Sequence, residues 1–218
     1  MWNTILFDLD GTLTDPKVGI TSAVATALAK FDIQEEPDHL TKFIGPPLRD
    51  AFMEFYGFSV GQADEAIHVF RTYFAAQGWH ENIPYPGVFD LLSTLKSAGK
   101  TLIVATSKAE VFALQILEYF KLAPYFSLIC GAPINNNAGG KKADIIRNAL
   151  QRADISDLSG IIMIGDREHD IKGAHEVGIP AVGVLYGYGS REELTACGAD
   201  YIVPDFSALQ ALLLSESD

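Results

Sequence analysis

Five short apolar runs separated by helical patterns constrain this chain more than any other feature. They are "TLIVAT" (101–106), "SLIC" (127–130), "IIMIG" (161–165), "AVGV" (181–184) and "YIV" (201–203). Strands apolar at nearly every position are buried on both faces, which implies a parallel sheet covered by helices on each side. The intervening segments carry helical stripes. Val88, Leu91, Leu92 and Leu95 form one, with Gly99 placed to stop it, and Val111, Leu114, Leu117 and Phe120 form a second. Further helices are expected from about Ala143, near 171–177 and from Arg191. Residues 4–9 supply another strand to the same sheet. The expected core is therefore a doubly wound α/β domain.

Residues 14–84 follow a different rule. Val24, Leu28 and Phe31 fit one helix. Leu48, Phe52 and Phe55 fit a second, opened by Pro46-Pro47 and closed by Gly57, and Ile67, Phe70 and Phe74 fit a third ending near Gly78. No convincing strand interrupts them, and "NIPYPG" (82–87) reads as a return hinge. This predicts an all-helical insert, 14–84, behind the first strand of a core formed by 1–13 and 85–218. The aromatic and Met residues of the insert read as its core. "NNNAGG" (135–140) reads as a mobile loop.

Composition narrows the class of function. A chain of 218 residues that is 48% hydrophobic can build a substantial core, and its formal charge of −12 opposes approach to nucleic acid or an anionic membrane. There is no run of the ~18 apolar residues that a membrane span needs, and no basic segment leads into a signal-like stretch, so a cytoplasmic location is expected. Cys130 and Cys197 are too few and too far apart for a disulfide framework or a zinc knuckle.

In open parallel sheets, ligands bind beyond the carboxyl ends of the strands. The stretch "ILFDLDGTL" (5–13) ends on Asp8 and Asp10, which as i and i+2 residues share a face and repel unless a cation or proton intervenes. "TLIVAT" leads into Thr106, Ser107 and Lys108. After "SLIC" come Lys141 and Lys142, and "IIMIG" leads to Asp166 and Asp170. Several carboxylates without a His or Cys cluster suit a hard cation, with Mg²⁺ the cellular default, and a lysine and a hydroxyl suit a phosphoryl group.

These residues resemble the four motifs of the haloacid dehalogenase superfamily, in its phosphatase branch. "DLDGT", the hydroxyl of Thr106, a lysine at a helix start and "GDREHD" occur in the right order over nearly the whole chain. The insert resembles the type-1 helical cap of phosphoglycolate phosphatase-like, 5'-nucleotidase-like and β-phosphoglucomutase-like members, set on a Rossmann-like core. The resemblance implies Asp8 as nucleophile and Asp10 as general acid/base, whose main-chain carbonyl also binds the metal. It implies Asp166 as a Mg²⁺ ligand, Asp170 as support for metal or lysine, and Thr106, Ser107 and the motif lysine as holders of phosphoryl oxygens. Lys142 directly precedes "ADIIRNAL" and takes the lysine role. Ala143 stands where the family often has proline, so Lys141 stays as an alternative.

The chemistry is coherent on its own terms. A carboxylate is ionised at neutral pH, so Asp8 can attack phosphorus without a base. Asp10 can protonate the leaving oxygen and then deprotonate the attacking water, a task that a halide leaving group would not require. Gly11 is expected to let the backbone approach the phosphoryl group, with nearby N–H groups donating to it. Arg49 stands in the first turn of a helix, where the dipole disfavours a cation, and is read either as facing substrate or as solvated. His169 reads as a loop residue and "GYGSRE" (187–192) as a turn. The expected function is hydrolysis of a small phosphorylated metabolite, phosphoglycolate- or nucleoside-monophosphate-like, by a monomer or homodimer. A phosphosugar mutase and a catalytically idle phosphate-binding module are the alternatives.

Overall fold

The computed structural model describes residues 2–134 and 140–215. Along the chain lie β1 (Thr4–Phe7), β2 (Thr14–Asp15), α1 (Lys17–Ala29), a 3-10 turn (Pro37–Phe43), α2 (Leu48–Tyr56) and α3 (Val60–Ala76). A second 3-10 turn (Gly78–Glu81) and β3 (Ile83–Pro84) lead back to α4 (Val88–Ser97), β4 (Thr101–Ala109), α5 (Glu110–Tyr119), a third 3-10 turn (Ala123–Tyr125) and β5 (Leu128–Ala132). Then follow α6 (Lys142–Arg152), β6 (Ile161–Gly165), α7 (Glu168–Val177), β7 (Ala181–Val184), α8 (Arg191–Ala196), β8 (Tyr201–Val203) and α9 (Phe206–Leu214).

Six strands form one parallel sheet in the order β5-β4-β1-β6-β7-β8. The chain winds outward from β1 through β4 to β5, then crosses to β6 on the opposite side of β1 and winds outward again. That reversal places the topological switch point, and with it the ligand crevice, at the carboxyl end of β1. Alternate residues of β1 serve opposite faces. Ile5 and Phe7 pack in one core with Leu92 of α4, Ile116 of α5 and Leu209 of α9, and Leu6 packs in the other with Ile146 of α6 and Ile171 of α7. Both faces are thereby covered, which accounts for the uninterrupted apolar runs.

The segment from 14 to 84 is helical as expected, and its apolar residues, Phe43, Phe52 and Phe74 among them, join the core on the Ile5–Phe7 face. Local chemistry sets its helix ends. Gly57 takes φ +67° to close α2, and Ser59 opens α3 with a capping box in which its side chain accepts from Gln62 N–H and Gln62 Oε1 accepts from Ser59 N–H. The expectation of no strand here needs correction. β2 and β3 form an antiparallel ribbon pairing Thr14 with Pro84 and Asp15 with Ile83, so the segment leaves and re-enters through adjacent chain ends. Two-residue strands, one containing Pro84, are too short to show an alternating pattern.

Two further expectations need adjustment. Phe31 lies beyond α1, because the chain turns at Asp32 with φ +58°, yet it still packs on Phe58 with ring centroids 4.6 Å apart. On α5, Val111 and Leu114 are 45% and 41% exposed, and the buried stripe is Phe112, Ala113, Ile116 and Leu117. Both stripes fit a helical period, and packing against β4 and β5 selects the one with Phe112, whose ring meets Phe74 at 5.2 Å. The loop expected at 135–140 lies, except for Gly140, outside the described residues. Cys130 and Cys197 are both free thiols. No helix among the described residues is long and apolar enough to cross a membrane.

Candidate active site

Asp8 follows β1 directly, its N–H donating to Ile164 O at 2.9 Å, and Asp166 follows β6, the neighbouring strand. Asp170 stands in the first turn of α7. All three carboxylates are buried, and one oxygen from each lies within 4.8 Å of those of the others. The side chain of Asp10 turns elsewhere, to Lys108. The four aspartate side chains therefore form a three-carboxylate cluster and a separate Asp10–Lys108 pair.

Of the two candidate lysines, Lys142 is the one that the fold brings to the aspartates. It is the first residue of α6 and buried, with Nζ 2.7 Å from Asp8 Oδ1, 2.7 Å from Asp170 Oδ1 and 3.0 Å from Ala105 O. Lys141 is exposed. An ammonium has three donors, and those of Lys142 are all committed to protein oxygens. It partly offsets the charges of Asp8 and Asp170 in this arrangement, and the phosphoryl contact expected of it requires one of these bonds to be exchanged. Thr106, Ser107 and Lys108 are brought to the same rim by a register shift. Between Ala105 and Ala109 on β4, the facing β5 advances only from Cys130 to Ala132, so the extra residues bulge over the strand end.

Gly11 has a role toward Asp166 that its sequence position does not signal. Its N–H donates to Thr14 O at 2.8 Å and so is not available to a phosphoryl group. With φ +82°, a Cβ there would lie 2.2 Å from Asp166 Oδ2, so the missing side chain makes room for a carboxylate of the cluster. "GYGSRE" is likewise more than a turn. Tyr188 N–H donates to Asp166 Oδ2 at 2.8 Å, its hydroxyl donates to Asp15 Oδ1, and a Cβ on Gly187 would lie 2.4 Å from Asp166 Cβ. This loop is the back wall of Asp166. The only sequence signal for it was a pair of glycines flanking an aromatic residue just past a strand end.

A chamber opens above the cluster between the sheet end and the helical segment. Asp8, Asp10, Thr106, Ser107, Lys108 and Lys142 line its floor, and Phe43, Leu48, Ile67, Phe70 and Phe74 line its roof. Arg49 is not among the lining residues. It reaches from α2 to Asp64 on α3, with Nη2 2.6 Å and Nε 3.0 Å from Asp64 Oδ1, so the expectation that it faces substrate is not met. The arginines that do line the chamber are Arg71 and Arg167. Arg167 crosses from floor to roof, with Nη1 donating to Ile44 O at 2.5 Å and Nε pairing with Glu193 at 2.9 Å. His169 also lines the chamber from the first turn of α7 and is not a loop residue.

The electrostatics follow from burial. Asp166 stands well above the usual carboxylate range because burial, reinforced by the charge of Asp170, disfavours its anion against the opposing Tyr188 N–H bond. Asp170 is also raised, chiefly by burial that Lys142 only partly offsets. Burial raises Asp10 too, despite Lys108. For Lys142 burial opposes the charge, but the attraction of Asp170 and Asp8 reverses that, and its pKa lies above that of ordinary lysine. The buried Asp166 Oδ1 has no hydrogen-bond partner among the described residues. Hard oxygen donors, an excess of buried negative charge and an orphaned carboxylate oxygen together fit a small divalent cation.

A haloacid dehalogenase-like hydrolase family model matches residues 5–184, a span that contains every residue of the cluster. The chain belongs to that family. It is 43% identical over 213 residues to a 5'-nucleotidase of Pseudomonas aeruginosa, covering 97% of this chain and 95% of the relative. It is 34% identical over 212 residues to a phosphoglycolate phosphatase of Caulobacter vibrioides, covering 93% and 87%. A crystal structure described as a predicted phosphatase from Clostridium acetobutylicum superposes with a TM-score of 0.94 at 49% identity, covering 98% and 99% of the two chains. The α/β fold of this hydrolase is thus the fold of its family.

Proposed function

We propose that the chain is a Mg²⁺-dependent phosphatase that hydrolyses the phosphomonoester of a small metabolite through an aspartyl-phosphate on Asp8. The observation that carries this reading is the placement of Asp8. It stands at the switch point of the sheet, held by Lys142 on one side and by the cluster with Asp166 and Asp170 on the other, beneath a chamber roofed by the helical segment. Asp8, Asp166 and Asp170 would hold the cation, with Asp10 adding its main-chain carbonyl. When bound, the cation supplies positive charge that offsets repulsion between the carboxylates and an anionic substrate.

Asp8 attacks phosphorus as a carboxylate, and the ester oxygen leaves with a proton from Asp10. Asp10 then takes a proton from water, which attacks the phosphorus of the aspartyl-phosphate and releases inorganic phosphate, restoring both aspartates. Thr106 and Ser107 orient the phosphoryl oxygens. Lys142 keeps the charge of Asp8 balanced within the buried site. The names of the relatives point to phosphoglycolate and nucleoside monophosphates as substrate classes. The test is phosphate release from a panel of such esters with Mg²⁺. Turnover of at least one supports the reading, and no release from any ester, with isomerisation of a sugar phosphate instead, contradicts it.

A further inference from the structure

The reading above gives Asp10 two proton transfers but leaves open what holds its carboxylate in place. Lys108 stands on the bulged end of β4 with a side chain only 7% exposed, and its Nζ lies 2.6 Å from Asp10 Oδ2. The other oxygen, Asp10 Oδ1, is buried and has no hydrogen-bond partner among the described residues. The two oxygens are therefore unequal, one pinned and one unpartnered. The ammonium is itself fixed from above, since it sits 4.5 Å from the ring centroid of Phe74 on α3. Each aspartate of "DLD" thus has its own lysine, Lys142 for Asp8 and Lys108 for Asp10.

We propose that Lys108 is a positioning residue that pins Asp10 Oδ2 so that Oδ1 meets the leaving oxygen and the attacking water, with the Phe74 face holding the ammonium over it. This rests on the phosphatase reading and adds a role for a residue outside its reaction scheme. Proton delivery matters for an alkoxide leaving group and little for p-nitrophenolate, which departs without a proton. A misplaced Asp10 therefore slows transfer from an alkyl ester more than from an aryl one, whereas a merely loosened fold slows both alike.

The experiment compares wild type, Lys108→Met, Lys108→Arg and Asp10→Asn in single turnovers with phosphoglycolate and with p-nitrophenyl phosphate, measuring alcohol or phenol release, with circular dichroism to check folding. Lys108→Met is expected to lower the alkyl-to-aryl rate ratio by about tenfold or more, within the ~10²–10⁴-fold contribution of general acid catalysis. Asp10→Asn should lower the ratio further, and Lys108→Arg, which keeps a donor, should partly restore it. An unchanged ratio in Lys108→Met, where Asp10→Asn does shift it, overturns this proposal alone. Wild type that releases phosphate from none of the panel esters and no phenol from p-nitrophenyl phosphate overturns the phosphatase reading and this proposal with it.

Discussion

Lys142 and Asp8 are 134 residues apart in the chain and 2.7 Å apart in the fold, both buried. The contact exists because β1 and the start of α6 meet at one end of the sheet, and removing either charge leaves the other unpaired in a low-dielectric site. Lys142→Ala is expected to lower activity by roughly 10²–10³-fold, the scale seen when one buried electrostatic donor is deleted. It should also destabilise the fold, since breaking a buried pair typically costs about 3–5 kcal/mol. Lys141→Ala, at an exposed position, should do neither. Equal and mild losses in both variants, measured as steady-state rates and urea midpoints, would contradict the assignment.

A pH dependence follows from the raised carboxylates. Asp10, Asp166 and Asp170 bind protons more tightly when folded than when unfolded, so the native chain holds more protons between the ordinary pKa of 3.8 and the raised values. Stability of the metal-free protein should then increase as pH falls from neutrality through that window. Saturating Mg²⁺ stabilises the ionised cluster and should flatten or reverse the trend. Thermal midpoints recorded from neutral to mildly acidic pH, with Mg²⁺ and with chelator, check both halves.

Gly11→Ala should weaken cation binding. The added Cβ falls where Asp166 Oδ2 now lies, at 2.2 Å, and φ +82° adds backbone strain. Isothermal titration with Mg²⁺ should show a clear loss of affinity in a variant whose circular dichroism is native-like. Unchanged affinity would mean that Asp166 is not positioned by this glycine.

Arg49→Ala should have a modest and uniform effect. Its pair with Asp64 is partly exposed, at 25% and 36% side-chain accessibility, and exposed pairs typically contribute about 0.2–1 kcal/mol. Hydrolysis of a metabolite ester and of an aryl phosphate should change together. A selective loss on the metabolite would show that Arg49 reaches substrate after all.

The sheet was legible in the sequence because strands buried on both faces must be apolar throughout, and "IIMIG" and "AVGV" coincide with β6 and β7 residue for residue. Asp8, Thr106, Lys142, Asp166 and Asp170 were legible for a related reason, since parallel topology forces strand ends and the helix starts beyond them onto one rim. What escaped depended on contacts between distant segments. Lys108 was legible at its strand end, but its pairing with Asp10, 98 residues away, gives no periodic signal. The role of Gly11 depends on Asp166, 155 residues further along, and that of Tyr188 on Asp15. For Arg49 the dipole argument left two readings open because it sees only its own helix, whereas Asp64 on α3 supplies the partner.

The central claim is that Asp8 becomes phosphorylated during turnover. The protein is mixed with p-nitrophenyl phosphate and Mg²⁺, quenched in acid and digested, and its peptides are analysed by mass spectrometry alongside Asp8→Asn and Asp10→Asn. The account predicts a phosphorylated peptide containing Asp8 in wild type, more of it in Asp10→Asn because water is no longer activated, and neither label nor turnover in folded Asp8→Asn. Turnover by Asp8→Asn at the wild-type rate, or a phosphoryl group on a different residue, would contradict it.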